Sequence, residues 1–472
     1  MSTALQLTSA EQALGISLPH RRMEEWRWTD LRARLGKPYA AVAVKPEGKD
    51  VERLLAASPF TKAAKARVVF VNGVMDEQHS RLIGLKLSKQ VAAPTTEDPL
   101  IEMNAKLRPQ GVTLKFTATT DQPLEIIHVA TDAAPRAIGL HNAIEVAAGA
   151  SAFVIETFVG EGDYVVNALT SIMLGKGAHL DRLKLQNDAA AATHLSHVIY
   201  NLAENARLND VTITLGASLT RQNGDCIFNG QNADAKISGA YLLKGKQHAD
   251  TRLVVNHLVP HCTSRELFKC VMDDQARGIF QGKVVVAKHA QKTDGKQSSH
   301  ALLLSETAEF DAKPELEIYA DDVVCGHGAT AGDLNADHLF YLESRGVPKD
   351  EAKALLIAAF VGEAFDMVAN DECREALVGI ARNDNLALEN AARIVIHYAF
   401  EKFAAGAMRH LVVDDQTCVG VLFAVQQIGA ADFGIGVLAV ETARAVLAGE
   451  CGPQRHSHII EPRLCRQIIN HM

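Results

Sequence analysis

The middle of this chain alternates between apolar and polar positions in short runs, from about residue 111 to residue 319. Residues 112–119, 124–129 and 210–215 are examples, and turn-forming residues separate the runs. A period of two predicts β-strands, and no amphipathic helical pattern interrupts the runs. We therefore expect the middle of the chain to be all-β.

A repeat of fixed length runs through this β region. Gly149, Gly177, Asn205 and Asn232 each open a similar segment. Each is followed by alanine, and successive starts lie 28, 28 and 27 residues apart. Glycine and asparagine best tolerate a left-handed backbone. One strand-rich coil per period predicts a β-solenoid, whose stacked coils share one core. A β-sandwich with regularly spaced hairpins is the alternative.

Helical patterns flank the β region on both sides. The first hundred residues are expected to form helical segments and one buried strand at residues 67–73. Three helices are predicted after the β region, and Pro348 opens the second of them. They cover residues 333–346, 348–368 and 371–381. We expect these helices to cap the last coil, because the end units of a stacked fold need a cover.

These patterns divide the chain into four parts. We predict an N-terminal helical domain with a strand at 1–105, a β-helix core at 106–332, a C-terminal helical domain at 333–384 and an extension at 385–472. The extension has no lysine after Lys402, yet it holds three of the eight cysteines. It is either an accessory extension or a frame-shifted tail.

Composition narrows the class of protein. Hydrophobic residues make up 47% and charged residues 22% of the 472 residues, as in an ordinary soluble globular protein. A net charge of −8 argues against nucleic acid as a partner, because nucleic-acid binders normally show a basic face. We find neither an apolar signal segment after Met1 nor an uninterrupted apolar run of roughly 20 residues. We therefore expect a cytoplasmic protein that does not enter a membrane.

The most distinctive local motif is Cys325-Gly326-His327, in a glycine-rich segment that follows two valines. If this segment is extended, Cys325 and His327 point to the same side, because alternate residues of a strand share a face. Thiolate and imidazole are preferred ligands of soft and borderline metals and of iron–sulfur clusters. Two ligands do not hold a metal by themselves, so the pair predicts a shared or transient site. The simpler alternative is a glycine-rich turn between a strand and a helix.

The other cysteines are expected to be structural. None of the eight forms a Cys-x-x-Cys pair, which argues against a zinc ribbon, a thioredoxin-like motif or a ferredoxin-like cluster motif. Cys226 and Cys270 lie in strand-like runs, so we expect them to be buried thiols in the core.

Two further groups of polar residues are also expected to be structural. His257, His261 and Cys262 are close in sequence, but Pro260 breaks a helical arrangement of ligands. His248 and Asp250 are expected on the solenoid surface.

Several blocks of residues together form a pattern that is typical of one known family. They are residues 24–31, 68–73, 264–270, 279–284, 291–294, 302–305, 313–322, 325–330 and 344–348. On these blocks, which span roughly residues 20 to 380, the chain resembles the SufD family of the SufBCD iron–sulfur cluster assembly complex. The absence of a Cys-x-x-Cys pair favours SufD over SufB, whose relatives often carry an N-terminal cysteine cluster.

The resemblance implies a mainly β fold with helical ends. A right-handed parallel β-helix core would lie between N-terminal and C-terminal helical domains. The resemblance also implies a non-catalytic scaffold that pairs with a SufB-like paralogue and binds a SufC-like ABC ATPase. His327 matches the histidine at the SufB–SufD interface, where a transient iron–sulfur cluster is formed, and Cys325 is its companion. The ATPase contact would lie on the helices after the solenoid. Its residues are Pro348, Leu355, Leu356 and Phe360.

Two other functions are compatible with a solenoid. Exported carbohydrate-active enzymes also use a β-helix, but they need paired carboxylates or a metal-assisted groove. A structural homodimer without metal chemistry needs neither. The chain has no Gly-x-x-x-x-Gly-Lys-Ser/Thr loop, so we expect it not to bind ATP itself.

Overall fold

The chain is mainly β, with helices before and after a long stack of strands. A computed structural model describes residues 9–36, 39, 48–82, 86–89, 91, 98–120, 122–131 and 136–383, and the predicted extension at 385–472 lies outside these described residues. The helices are α1 (Ser9–Leu14), α2 (Leu31–Arg34), α3 (Gly48–Ala56), α4 (Pro99–Lys106), α5 (Ala336–Ser344), α6 (Lys349–Phe365) and α7 (Asp371–Asn383), with a 3₁₀ helix at Glu24–Trp26.

The strands follow one another with short turns between them. They are β1 (Ala66–Val71), β2 (Val74–Met75), β3 (Lys86–Ser88), β4 (Thr113–Phe116), β5 (Leu124–Ala130), β6 (Arg136–Val146), β7 (Ser151–Gly160), β8 (Tyr164–Leu174), β9 (His179–Asn187), β10 (Thr193–Leu202), β11 (Arg207–Thr214), β12 (Leu219–Phe228), β13 (Asp234–Leu243), β14 (His248–His257), β15 (Thr263–Met272), β16 (Arg277–Val286), β17 (Asp294–Leu303), β18 (Glu309–Ile318) and β19 (Val324–Gly332).

Two parallel sheets face each other, and the chain alternates between them. From β4 onward the even-numbered strands, together with β3, form a nine-stranded sheet, here called sheet A. The odd-numbered strands from β5 onward, together with β1 and β2, form a ten-stranded sheet, called sheet B. Short antiparallel pairs, β3–β4 and β1–β2, lie at the far end of each sheet. Parallel pairing of strands one full coil apart confirms the solenoid and excludes the β-sandwich of hairpins. The right-handed sense of the coil stays a prediction.

The sequence repeat marks the turn before successive strands of sheet B. All four predicted turn residues have a positive φ, from 58° at Asn205 and Asn232 to 72° at Gly149. His261 and Lys292 continue the ladder with a φ of 61° each. These two residues are neither glycine nor asparagine, so the repeat continues in the structure after its sequence signal has ended.

The main core lies between the two sheets. Every second residue of each strand points into it. Most of these side chains are apolar, as at Phe158, Tyr200 and Phe280. Cys226 and Cys270 belong to this core and are buried free thiols, which confirms the prediction for both.

The interior also contains charged residues. Arg182 is buried between Glu156 and Asp210, with its Nη1 atom 2.7 Å from an Asp210 carboxylate oxygen. Tyr200 donates a hydrogen bond to the same carboxylate at 2.9 Å. Each buried charge in this group therefore has an opposite charge or a hydrogen-bonding partner, as burial demands.

The N-terminal segment covers the outer face of sheet A. Trp26 and Leu31, with residues of α4, pack against outward-facing side chains such as Leu195 and Leu219. Because outward-facing residues of a sheet are exposed unless another element covers them, this segment completes a second apolar layer.

This cover changes the environment of His248 and Asp250. Both face outward from sheet A but are buried, so their predicted placement on the solenoid surface is wrong. Thr29 of the N-terminal segment donates a hydrogen bond to Asp250 at 2.5 Å, and Arg221 forms an ion pair with the same carboxylate. Trp26 stacks on the Arg221 guanidinium at 4.4 Å. Contacts with a segment more than two hundred residues earlier in the sequence therefore bury His248 and Asp250.

The C-terminal helices cover the outer face of sheet B. Ile357 and Val361 of α6 pack in one cluster with outward-facing residues such as Leu183, Val211 and Ile213. The helices therefore lie along the side of the stack, and the prediction that they cap its last coil is wrong. The physical reason is that sheet B is apolar on both faces, so its outer face requires the cover. No helix among the described residues is long and apolar enough to span a bilayer.

Candidate functional site

Among the described residues, no strand follows the last coil of the solenoid. β18 is the final strand of sheet A and β19 the final strand of sheet B, so each has a neighbour on one side within the described chain. The Val324 nitrogen donates to the Thr293 carbonyl of the preceding coil. Backbone groups of a parallel strand alternate in direction, so those of Cys325, His327 and Ala329 point to the free edge. An exposed row of this kind is a template for another strand.

Cys325 and His327 lie on the inner face of this open strand. Cys325 pairs with Gly295, and His327 pairs with Gln297. Cys325 is half-buried and packs against the interior core, which sets the inward direction of both side chains, since they are two residues apart. His327 is exposed because no described coil lies above it. The extended strand agrees with the predicted shared face, and the alternative of a glycine-rich turn is wrong.

The thiol in this pair is not ionised by its surroundings. Burial raises the pKa of Cys325, and the carboxylates of Asp294 and Glu266 add to this effect. The thiol therefore keeps its proton until a cation or a partner group lowers its pKa. A Cβ at Gly326 or Gly328 would meet nothing within 4 Å, so the outer face of β19, opposite Cys325 and His327, is open at these two positions.

A polar column leads from His327 into the solenoid. Glu266, Gln297 and His327 occupy the same register position of β15, β17 and β19. Gln297 is buried and donates to the Gly282 carbonyl of sheet A at 3.3 Å. Both carboxylate oxygens of buried Glu266 lack a hydrogen-bond partner among the described residues, and burial raises the pKa of this carboxyl to about 8. Sequence reasoning missed this column, although extension of the repeat beyond Asn232 would have aligned it.

The pair does not form a complete metal site within the described chain. No group of three or more His, Cys, Asp or Glu side chains with metal-binding geometry occurs among the described residues. Iron–sulfur clusters need more ligands than one thiolate and one imidazole supply. The remaining ligands for any cluster at this end would therefore have to come from outside the described residues.

The other predicted polar groups have structural surroundings. His257 is buried, stacks on Phe228 with ring centres 4.4 Å apart, and lies 3.2 Å from the Ser264 hydroxyl. His261 lies at a left-handed turn position, and Cys262 is buried behind it. These contacts agree with the predicted structural role of all three.

The residues predicted to contact an ATPase differ in exposure. Pro348 is exposed, Leu356 is half-buried and Leu355 is buried. Phe360 is half-buried, and the Lys269 ammonium lies 4.7 Å from the centre of its ring. Pro348 and Leu356 are therefore accessible to another protein, whereas Leu355 packs inside this one.

The helix before them presents aromatic side chains to solvent. Phe340 and Tyr341 on α5 are 71% and 45% exposed. Arg345, one turn later, lies over the Tyr341 ring at 5.1 Å. Exposed neighbouring aromatics are uncommon on a monomer and are typical of protein interfaces. Sequence reasoning placed a helix here but did not single out these two residues.

Comparisons with known proteins agree with this architecture. Residues 128–360 match the family described as SUF system FeS cluster assembly, SufBD core domain. The iron–sulfur cluster assembly protein SufD of Escherichia coli is 30% identical over 385 residues, which cover 78% of this chain and 89% of that protein. An iron–sulfur cluster assembly SufBD family protein of Synechocystis is 29% identical and covers 75% of this chain and 84% of its own length.

A third relative matches over a shorter part of the chain. The SufD protein of Bacillus subtilis is 28% identical over 227 residues, or 47% of this chain and 51% of that protein. A role in iron–sulfur cluster assembly therefore replaces the alternative of a carbohydrate-active enzyme. The parallel solenoid, the matched core domain and these relatives together show that the chain belongs to the SufD family of iron–sulfur cluster assembly proteins.

Proposed function

We propose that the chain is a non-catalytic scaffold that pairs with a SufB-like paralogue through the open end of its solenoid. The observation that carries the proposal is the free edge of β19, which has Cys325 and His327 on its inner face. Strand addition to this edge would bring a partner's side chains next to these two residues. The cluster is the cargo of this assembly, and each chain would supply part of its ligands.

The chemistry at the edge supports a transient site. One imidazole and one thiol of raised pKa hold iron weakly until a partner completes the ligand set. A site divided between two chains releases its cargo when the interface opens.

Co-expression tests the scaffold role. The tagged chain is expressed with SufB-like and SufC-like chains, purified by its tag and reconstituted anaerobically with iron and sulfide. We expect both partners to co-purify. His327→Ala should keep the partners but lower the iron and sulfide bound to the complex, because the scaffold is intact while one ligand is missing. His289→Ala, at an exposed turn histidine, is the matched control. Normal cluster content in the His327→Ala complex would refute the ligand role.

We also propose that α5 and the following Pro348 form the contact for a SufC-like ABC ATPase. The support is the exposed aromatic pair Phe340 and Tyr341, next to the predicted contact residue Pro348. Buried aromatic anchors supply much of the binding energy in protein interfaces. ATP-driven movement of the ATPase could then open and close the SufB-like interface.

A double variant tests the ATPase contact. Phe340→Ala/Tyr341→Ala should weaken binding of the SufC-like chain by at least about tenfold, measured by surface plasmon resonance. Pairing with the SufB-like chain should be unchanged. Met173→Ala is the matched control, since Met173 on β8 is also a largely exposed apolar residue. Unchanged ATPase affinity in the double variant would place the contact elsewhere.

A further inference from the structure

A basic cleft lies between the N-terminal segment and the solenoid, away from the open end. Its volume is about 560 Å³, within the range of small-molecule sites. Arg21, Trp28 and Arg34 line one wall, and Lys246 and Arg277, from the turn before β14 and the start of β16, line the other. Three successive coils and a separate segment therefore form the cleft, so its shape depends on the packed fold.

The charges in the basic cleft are not balanced. Arg277 is engaged by Asp311 at 2.6 Å and by Glu309 at 3.3 Å. Arg21, Arg34 and Lys246 line the same space, and none has a partner within 4.0 Å among the carboxylates of the described residues. Asp30 and Glu309 also line the cleft, so four cations face two carboxylates and a net positive charge remains. Arg21, Arg34 and Lys246 are the cations without a carboxylate partner. Their mutual repulsion is relieved when an anion lies between them.

The floor of the cleft is polar and hydrogen-bonded. The His248 ring lies 2.8 Å from the Thr29 hydroxyl, which in turn donates to Asp250. Burial lowers the pKa of His248 to about 4; nearby Asp250 opposes this, while Arg34 and Arg277 add to it. His248 is therefore neutral at neutral pH, and the positive charge of the cleft comes from arginine and lysine, which stay charged.

We propose that the basic cleft binds a phosphate-bearing small molecule with at least two phosphate groups. A polyvalent anion can contact several fixed cations at once, whereas a single carboxylate would leave most of them unpaired. Trp28 lines the cleft with an aromatic ring, and Arg27 lies over this ring at 5.6 Å from its centre. An aromatic side chain in the lining suits a flat ring carried by the same ligand. This assignment is independent of the cluster-assembly role of the open end.

Binding of inorganic pyrophosphate and of ADP to the purified full-length chain tests the proposal. Calorimetry and tryptophan fluorescence should both report saturable binding that weakens as sodium chloride is added. Arg34→Glu/Lys246→Glu should weaken binding at least about tenfold. Lys62→Glu/Lys65→Glu, at two exposed lysines outside the cleft, is the matched control and should bind normally. Both variants change exposed side chains, and equal thermal unfolding temperatures would show that folding is intact.

The two probes distinguish the sources of the phosphate. Tighter binding of ADP than of pyrophosphate, lost in Trp28→Leu, would identify a ligand with a flat ring. Equal binding of both would identify the polyphosphate alone. Either result supports the proposal. No saturable binding of either probe at millimolar concentration, or unchanged binding in Arg34→Glu/Lys246→Glu, would overturn it.

Discussion

At the scale of single residues, Arg182 provides the counter-charge for two carboxylates inside the solenoid. Its guanidinium lies between the carboxylates of Glu156 and Asp210, and all three side chains are almost completely buried. Arg182→Met keeps most of the side-chain volume but leaves two carboxylates without a counter-charge. We expect the free energy of unfolding to fall by about 3–5 kcal/mol in urea denaturation.

An exposed arginine provides the control for this prediction. Arg53 forms a surface ion pair with Glu161, and Arg53→Met should change the denaturation midpoint little, because water screens such pairs. A loss of stability in Arg182→Met no larger than that in Arg53→Met would mean that the interior carboxylates become neutral at no cost.

His197 joins the N-terminal segment to sheet A and predicts a pH dependence. Its ring is buried between Asp225, at 2.7 Å, and Asp98, at 3.3 Å. Burial opposes the charged form, but the hydrogen bonds to Asp225 and Asp98 outweigh it and raise the pKa of His197 from 6.5 to about 9. The folded state therefore favours the protonated ring. Its contribution is fully present below about pH 6.5 and is lost as the pH rises through about 9.

Denaturation at a series of pH values measures this contribution. Between pH 6 and 9.5 the parent chain should lose about 3 kcal/mol more stability than His197→Gln. The difference between the two chains isolates this residue from other groups that titrate in the same interval. His179→Gln, at an exposed histidine beside Asp181, should follow the parent. Parallel curves for the parent and His197→Gln would contradict the assignment.

At the scale of elements, α6 stabilises the side of the solenoid. Ile357 is buried in the cluster between α6 and sheet B. Ile357→Ala leaves a cavity there and should lower the free energy of unfolding by about 2–4 kcal/mol. Hydrogen exchange should rise in α6 and in β13 and β15, the strands on which it packs. Ala359→Ser, on the exposed side of the same helix, should leave exchange unchanged.

The elements also show how far the sequence predicts this molecule. The solenoid was predictable because a left-handed turn position favours glycine or asparagine, as at Gly149 and Asn205. The extended Cys325-x-His327 segment followed from its neighbouring valines. The position of the C-terminal helices was not predictable, because strands with apolar residues on both faces, such as Leu183 and Leu185, do not tell which face meets the core and which meets a helix.

Contacts between distant segments limited the prediction of the sites. Side chains alternate between the two faces of a strand, and this alternation directs Asp250 outward. The contact with Thr29 that covers Asp250 forms only in the folded chain, because the two residues are far apart in sequence. The basic cleft has the same origin, since Arg34 and Lys246 are neighbours in space and far apart in sequence. The local sequence pattern predicts which face of a strand a side chain occupies, whereas tertiary contacts determine which segment covers that face.

At the scale of the whole molecule, the free edge predicts self-association of the isolated chain. Without a partner, β19 of one copy can pair with β19 of another, and sedimentation equilibrium should show a concentration-dependent dimer. Ala329→Pro removes a backbone donor that faces the free edge, so the dimer should weaken while the coil beneath stays paired. Glu306→Pro, in an exposed turn, is the control. An equally stable dimer in Ala329→Pro would place the contact on another surface.

The two terminal strands are not equivalent, because β18 contains Pro314. The nitrogens of Glu309 and Tyr319 donate to the preceding coil, so by alternation the nitrogen of Pro314 faces outward, where it has no hydrogen to offer. Nothing in a stack of similar coils limits its length, so further copies of the chain could in principle add end to end and form a fibre. Such a fibre would grow by strand pairing at the edges of both β18 and β19, and the proline removes one hydrogen-bond donor from the edge of β18. A solenoid that added to this end would pair fully with β19 but would lack one backbone hydrogen bond opposite Pro314. A chain whose shape fits this gap would therefore be favoured over an identical copy.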